Sequence, residues 1–83
     1  MNDADIKSQV IAIIRGVAPE VGESELRGDR PLREQVDLDS MDWLRVILAV
    51  HEKLHVDIPE TDYAKLRSLD DWAAYLKARL RAA

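Results

Sequence analysis

The stretch Asp37-Leu38-Asp39-Ser40-Met41-Asp42 stands where an irregular segment gives way to an apolar run with helical spacing. Aspartate and serine are favoured at helix starts, and a further aspartate in the first turn suits the positive end of the helix dipole. We therefore expect Ser40 to lie exposed at the beginning of a helix, among negative charges. No general base stands beside it, so its hydroxyl is better suited to being modified than to attacking a substrate.

A helix is predicted from Ser40 to Leu54. Apolar residues recur along this segment at intervals of three and four, which is the spacing of one helical face. An apolar stripe this broad predicts a helix that is buried on more than one side. The predicted face consists of Met41, Leu44, Ile47, Leu48 and Leu54, widened by Val46 and Val50.

An amphipathic helix is also predicted over residues 4–17, with Asp3 and Asp5 favouring its start and Gly16 and Pro19 marking its end. Its apolar stripe consists of Ile6, Val10, Ile13, Ile14 and Val17. Residues 18–38 then form a long irregular connection, in which the side chains expected to reach the core are Val21, Leu26, Leu32, Val36 and Leu38.

Two more helical segments complete the pattern. Residues 55–59 are predicted to be extended, because a residue before proline is disfavoured in the α region. A short helical turn follows over residues 60–66. The run Ser68-Leu69-Asp70-Asp71 resembles a capping box with aspartate in place of glutamate or glutamine. The helix that it starts has a core stripe of Leu69, Trp72, Ala73, Leu76 and Leu80.

Length and composition indicate one small folded domain covering residues 1–83, since 47% of the residues are hydrophobic and 34% are charged. No apolar run approaches the ~18 residues that cross a bilayer, and no secretory leader is evident. We expect a cytoplasmic monomer with no membrane partner. The chain has no cysteine, which excludes disulfides, thiolate-metal sites and a protein-borne thiol nucleophile.

The net charge of −4 is unevenly distributed. Residues 36–62 hold seven acids and two bases, whereas residues 63–83 hold five bases and two acids. A nucleic-acid surface needs a basic stripe that displaces counterions from phosphates, so no nucleic-acid partner is predicted. The acidic segment around Ser40 is expected to attract basic protein surfaces.

The run Asp39-Ser40-Met41-Asp42 resembles the D-S-[LM]-D/E signature of the acyl carrier protein family. Val56-Asp57-Ile58-Pro59 is similar to the x-I-P segment that introduces the short third helix of that family, and Leu69-Asp70-Asp71-Trp72 stands where its last helix begins. The leading helix and the long first loop also fit, so the resemblance covers nearly the whole chain. It implies an all-α, small four-helix bundle with a short third helix.

In that family the serine is esterified by the phosphate of 4′-phosphopantetheine, which is taken from coenzyme A. The resemblance implies that Ser40 is this site, that the thiol of the arm carries acyl groups as thioesters, and that the chain is not an enzyme. The implied partners are a phosphopantetheinyl transferase, which would supply Mg²⁺ and the base, and acyl-loading ligase or synthase enzymes. The implied docking surface consists of Asp39, Met41, Asp42, Arg45, Leu48 and Glu52.

Some residues depart from the common fatty-acid carriers. Leu38 stands where those proteins have glycine or alanine, and Arg45 and His51 stand where they tend to have glutamate. We therefore expect a specialised, free-standing carrier of lipid or secondary metabolism, such as fatty-acid or polyketide synthesis. An aminoacyl or peptidyl carrier would look nearly the same. Trp43 is either a partner contact or packed against the long loop, and packing is favoured.

Family members hold acyl chains in a cavity between the helices. By position, the residues of this chain that would line such a cavity are Ile47, Val50, Leu54 and Leu66. Packing of the hydrophobic core explains the same four residues equally well.

Two other classes of protein are alternatives to the carrier. His51-Glu52-Lys53-Leu54-His55 matches H-E-x-x-H, in which two histidines bind zinc and the glutamate acts as a base. A catalytic zinc needs a third protein ligand, and the chain has only two histidines. The other class is an acidic helical adaptor that is never modified and binds partners through Trp43. The extended resemblance favours the carrier over both.

Overall fold

The computed structural model describes residues 2–20 and 26–82, with side chains up to residue 80. Its helical segments are α1 (Asp3–Val17), α2 (Leu32–Gln35), α3 (Ser40–Leu54), a 3₁₀ helix (Glu60–Lys65) and α4 (Leu69–Ala82). No strand forms within the described ranges, where Pro31 and Ser68 make an isolated antiparallel bridge. The predicted all-α bundle is confirmed. The short helix α2 differs from the sequence prediction, which has an irregular connection over residues 18–38.

Side-chain caps fix the starts of the long helices. At α1, Asn2 Oδ1 accepts a hydrogen bond of 2.8 Å from the amide of Asp5. At α4, the amide of Asp71 donates to Ser68 Oγ (3.1 Å) and Asp71 Oδ2 accepts from the amide of Ser68 (3.2 Å). This reciprocal pair is the predicted capping box, with aspartate serving in place of glutamate.

The end of α3 differs from the sequence prediction. His55 adopts a left-handed conformation with φ 54° and ψ 44°, so it closes the helix and is not extended. Glycine or asparagine is usual in that conformation. The chain then reaches Pro59, which is extended with φ −63° and ψ 146° and leads into the 3₁₀ helix.

The hydrophobic core lies between the three long helices, with α1 packed against both α3 and α4. The predicted stripes of α1 and α4 are confirmed, with Val17 and Leu80 half-buried at their ends. Trp72, whose ring is fully buried, has the largest side chain in this core. Among the described helices, none is long and apolar enough to span a membrane.

The prediction of a single apolar face on α3 is wrong in part. The side of α3 that enters the core carries Val46, Ile47 and Val50. Met41, Leu44 and Leu48 instead lie on the solvent side, with 68%, 42% and 48% of their surface exposed. At 100° per residue, Met41 and Leu48 point almost opposite to Val46 and Val50, so one buried stripe cannot hold both sets. The broad apolar pattern therefore reflects two separate faces.

The connection between α1 and α3 is anchored at the positions that the sequence predicts. Leu32, Val36 and Leu38 are buried and Leu26 is half-buried, whereas Val21 lies outside the described residues. The amide of Leu32 also donates to the carbonyl of Arg67 at 2.7 Å. The loop is thereby fastened to the segment that precedes α4.

Gly28 makes a second attachment of this loop. Its carbonyl accepts from the amide of Asp70 at 3.0 Å. A Cβ at residue 28 would lie 2.8 Å from Asp70 Oδ1, so a larger residue here would push this carboxylate aside. Asp70 also pairs with Lys7 Nζ at 2.6 Å, which ties α1 to the same point and raises the pKa of Lys7.

Asp62 fastens the 3₁₀ helix to α4. Its Oδ2 accepts hydrogen bonds from Tyr75 Oη (2.6 Å) and Arg79 Nη2 (2.9 Å), and Lys65 Nζ lies 3.2 Å from Oδ1. The Tyr75 hydroxyl and the two cations hold the pKa of Asp62 below its usual value. Burial, together with the hydrogen bond to Asp62, raises the pKa of Tyr75 to about 12. The guanidinium of Arg79 also covers the Tyr75 ring, 4.8 Å from its centroid.

The two faces of α3 predict opposite results for neighbouring residues. Ile47 is 1% exposed, so Ile47→Ala leaves a core cavity and should reduce the free energy of unfolding by about 2–5 kcal/mol. Leu48→Ala is the matched control, with an expected loss of about 1 kcal/mol or less. Urea unfolding followed by circular dichroism measures both. Equal losses for the two variants would contradict this assignment of faces.

Asp62 predicts a pH-dependent contribution to stability. Its folded-state pKa is lowered, so its contribution is present above the ordinary aspartate pKa and is lost as the pH falls through the lowered one. Asp62→Asn should therefore lower the thermal midpoint at about pH 7, and the difference from wild type should shrink toward about pH 3. Glu60→Gln is the control on the same helix. A difference that stays constant over this range would refute the prediction.

Candidate functional site

Ser40 is the first residue of α3 and is exposed, as the sequence predicts. The cap of the helix is Asp39, whose Oδ1 accepts a hydrogen bond of 2.8 Å from the amide of Asp42. Ser40 Oγ therefore does no capping, and it makes no hydrogen bond with any residue that the structure describes. The hydroxyl stands in solvent on a fixed helical turn.

The backbone on both sides of Ser40 is held in place. Leu38 is buried, and its carbonyl accepts a hydrogen bond of 3.3 Å from Arg33 Nε. On the helical side, the amide of Trp43 donates to the carbonyl of Asp39 at 2.9 Å. The side chain at residue 38, where the sequence departs from common carriers, thus anchors the approach to the serine.

Trp43 packs inward, as predicted. It is half-buried against a small cluster formed by Ala18, Val36 and Leu38. Its ring packs in an edge-to-face arrangement with the ring of Trp72, at a centroid distance of 6.2 Å and an interplanar angle of 67°. This T-shaped pair is a favourable arrangement of aromatic rings. Trp43 therefore joins the loop, the start of α3 and the main core.

The residues predicted for docking begin at Asp39, which caps α3, and continue past Ser40 along the helix as far as Glu52. Asp42 is half-buried and the other five are exposed. Four of the six follow the four-three-four spacing of one helical stripe, and the full set is Asp39, Met41, Asp42, Arg45, Leu48 and Glu52. Arg45 Nη1 lies 3.8 Å from Asp42 Oδ1, so part of the local charge is paired.

Leu44 belongs to the same surface, although the sequence prediction places it in the core. With 42% of its surface exposed, it lies beside Met41 and Leu48. Three exposed large apolar side chains on one helix next to Ser40 form a patch of the kind that marks an interaction site. The signal in the sequence is an apolar stripe too wide for one buried face.

A groove opens near the start of α3. Its volume is about 710 Å³, and it lies between the end of the long loop and the 3₁₀ helix. Residues that line it include Arg33, Glu34, Leu38, Trp43, Tyr63 and Arg67. A smaller cavity of about 320 Å³ lies on the other side of Tyr63 and is lined by residues such as Ile47, Leu48 and Ile58.

The four residues named from the family's acyl cavity do not enclose a common cavity. Ile47, Val50 and Leu66 are at most 1% exposed and belong to the packed core, and Leu54 is packed against it. Ile47 borders the smaller cavity and Leu66 borders the larger groove. Core packing is therefore the role that the structure gives these side chains.

The H-E-x-x-H match does not form a zinc-binding face. Its second histidine, His55, is the left-handed residue that ends α3, and His51 Nδ1 lies 2.7 Å from the carbonyl oxygen of Val56. Across the described residues, no group of three or more histidine, aspartate or glutamate side chains is arranged to hold a metal. The match therefore supplies no zinc site within the part of the chain that the structure describes.

The environment of Ser40 fits a phosphodiester-linked group. The hydroxyl is exposed and unbonded within the described chain, and it lies at the N-terminal end of a 15-residue helix. The positive end of the helix dipole favours a negatively charged phosphate there. When bound, 4′-phosphopantetheine supplies a thiol that forms thioesters. The residues around Ser40 present the hydroxyl and fix its position.

The chain is similar to known proteins over most of its length. The family model described as "Phosphopantetheine attachment site" matches residues 8–76. The acyl carrier protein of Chlamydia caviae is 31% identical over 75 residues, which cover 90% of this chain and 91% of that protein. The acyl carrier protein of Rhodococcus erythropolis is 28% identical over 69 residues, covering 83% and 71%.

A third relative is longer than this chain. The meromycolate extension acyl carrier protein of Mycobacterium tuberculosis is 27% identical over 70 residues, and the chain spans 57% of its length. Members of the matched family are carriers and not catalysts, and their prosthetic group is phosphopantetheine. They work with a phosphopantetheinyl transferase and with enzymes that handle acyl groups. This chain belongs to the acyl carrier protein family, whose members hold 4′-phosphopantetheine.

Proposed function

We propose that Ser40 carries the 4′-phosphopantetheine and that the chain delivers acyl thioesters in a specialised pathway of lipid or secondary metabolism. The observation that carries the proposal is the division of roles between Asp39 and Ser40. Asp39 caps α3, so the neighbouring hydroxyl is left exposed and unbonded within the described chain. A transferase can then reach it without unfolding the helix end.

The attachment step needs little from the chain itself. Ser40 Oγ forms a new bond to the phosphorus of the pantetheine arm, and the phosphorus–oxygen bond to the adenosine half of coenzyme A breaks. The hydroxyl proton passes to a base on the transferase. The chain contributes position, because the helix start holds Oγ in one place, and the dipole of α3 stabilises the added phosphate.

We further propose that the solvent side of α3 docks the partner enzymes. Met41, Leu44 and Leu48 supply apolar area, and charged residues surround them. This arrangement of an apolar centre and a polar rim is typical of transient protein interfaces. The rim consists of Asp39, Asp42, Arg45 and Glu52. Because Arg45 pairs with Asp42, a matching partner surface would offer both basic and acidic groups.

The attachment site is tested by intact mass. Incubation of the purified chain with coenzyme A, Mg²⁺ and a broad-specificity phosphopantetheinyl transferase should add the mass of one phosphopantetheinyl group. Ser40→Ala should abolish the gain. Ser8→Ala, which removes an exposed serine from α1, should leave it unchanged. An unmodified adaptor would show no gain under conditions that convert a known carrier, and that result would overturn the proposal.

The docking surface is tested by charge reversal. Asp42→Lys should slow transfer of the phosphopantetheinyl group several-fold, and more strongly at low salt, because rim charges act mainly on association rates. Its cost in folding stability should stay near ~1 kcal/mol, the size of a helix-dipole effect. Glu20→Lys makes the same charge change at an exposed position after α1 and is the control. Equal transfer rates for wild type and Asp42→Lys would count against this surface.

A further inference from the structure

We propose that the 710 Å³ groove beside Ser40 binds the acyl group at the end of the chain's own arm, and that Arg33 and Arg67 make it select a short acyl group with a terminal carboxylate. The inference rests on the proposed attachment of the arm to Ser40. It goes further in naming a site for the cargo and the chemical class that the site accepts.

The position of the groove suits a group tethered at Ser40. Leu38 and Trp43, which line the groove, lie two residues before and three residues after the serine. The opposite wall is formed by the 3₁₀ helix and the residues that follow it, including Tyr63 and Arg67. Its volume lies within the ~300–1,000 Å³ that is usual for small-molecule sites. Residues on both sides of Ser40 in the sequence thus line the groove to which we assign the end of the arm.

The charge of the lining is the main evidence for the cargo class. Within the described chain, the guanidinium of Arg67 makes no hydrogen bond or ion pair, and Arg33 uses only its Nε, on the carbonyl of Leu38. Among the described residues that line the groove, the one carboxylate is Glu34. These residues give the groove a net positive charge, although the chain as a whole is acidic. A planar guanidinium matches a carboxylate in geometry and charge.

A backbone contact brings the two arginines to the same groove. The amide of Leu32 donates to the carbonyl of Arg67 at 2.7 Å, and Pro31 pairs with Ser68 in the antiparallel bridge. Arg67 accepts this hydrogen bond, and Arg33 directly follows Leu32, which donates it. Both arginines line the groove, and two cations on one lining raise its affinity for an anion.

The other spaces in the described structure suit this cargo less well. The core between the helices is filled, since Ile47, Val50 and Trp72 are at most 1% exposed. The smaller cavity is bordered by Asp57, whose negative charge disfavours a carboxylate, and its histidine, His51, is already bonded to the carbonyl of Val56. A short anionic acyl group therefore finds its best complement between Arg33 and Arg67.

The test compares arms that differ in one group. The apo chain is converted by a broad-specificity transferase with coenzyme A, butyryl-coenzyme A or succinyl-coenzyme A, and intact mass confirms each product. The butyryl group has the same number of carbons as succinyl but lacks the carboxylate. Amide NMR spectra then report shifts in the groove, and a ¹³C label on the terminal carboxylate reports its pKa in the succinyl form.

The proposal expects shifts at Trp43, Ala64 and Arg67 in the succinyl form that the butyryl and unacylated forms lack. It also expects the pKa of the succinyl carboxylate to be about 0.5–1 unit lower than in free succinyl-pantetheine. Arg67→Gln should remove most of this pKa difference, and Arg33→Gln part of it. Arg30→Gln is the control, an exposed arginine of the same loop that does not line the groove.

Three results would overturn the proposal. In the first, the succinyl carboxylate titrates as it does in free succinyl-pantetheine. In the second, the unacylated arm shifts the groove as strongly as the succinyl arm, which would mean that the arginines bind the phosphate of the arm. In the third, Arg67→Gln and Arg30→Gln behave alike. Failure to add any arm appears earlier, in the mass, and would refute the attachment at Ser40 instead.

Discussion

The hydrogen bond from the amide of Asp42 to Asp39 Oδ1 connects the local folding of α3 with the proposed chemistry. A helix start needs an acceptor for its unpaired amides, and either Asp39 or Ser40 is suited to supply one. Since the aspartate does so, the serine becomes the first helical residue, with an exposed and unused hydroxyl. Were Ser40 itself the cap, its Oγ would be occupied and turned toward the backbone. The residue before the serine thus leaves its hydroxyl free for the modification that we propose.

A second constraint is that α3 must serve two surfaces. Its inner side, with Val46, Ile47 and Val50, holds the helix in the bundle, whereas Met41 and Leu48 remain in solvent next to Ser40. Exposed large apolar residues add less to the packing of the isolated chain than buried ones. Their position is understandable if partner enzymes cover them, as we propose. One side of α3 thus stabilises the fold, and the other remains available for the docking that we propose.

The sequence predicts the helices well because their signals are local. The bounds of α3, the capping box at Ser68 and the stripes of α1 and α4 all follow from spacing and capping residues. The sequence does not predict the exposure of Leu44, because an apolar residue has the same pattern whether the core or a partner covers it. Nor does it predict the groove, since Arg33 and Arg67 are brought together by a contact between distant segments. The role of Asp62 likewise depends on Tyr75 and Arg79, more than ten residues away.

The same long-range contacts explain how a chain with a small core can keep a defined site. One wall of the groove is the 3₁₀ helix, whose six residues are too few to be stable alone. Asp62 holds that helix on α4 through Tyr75 and Arg79, while the bond from Leu32 to Arg67 fixes the other wall to the segment before α4. Both walls are therefore held in position relative to α4, and the capping box fixes where α4 begins. Ordering by polar contacts lowers the conformational entropy that a bound acyl group would otherwise have to remove, so the groove is already formed for the cargo that we propose.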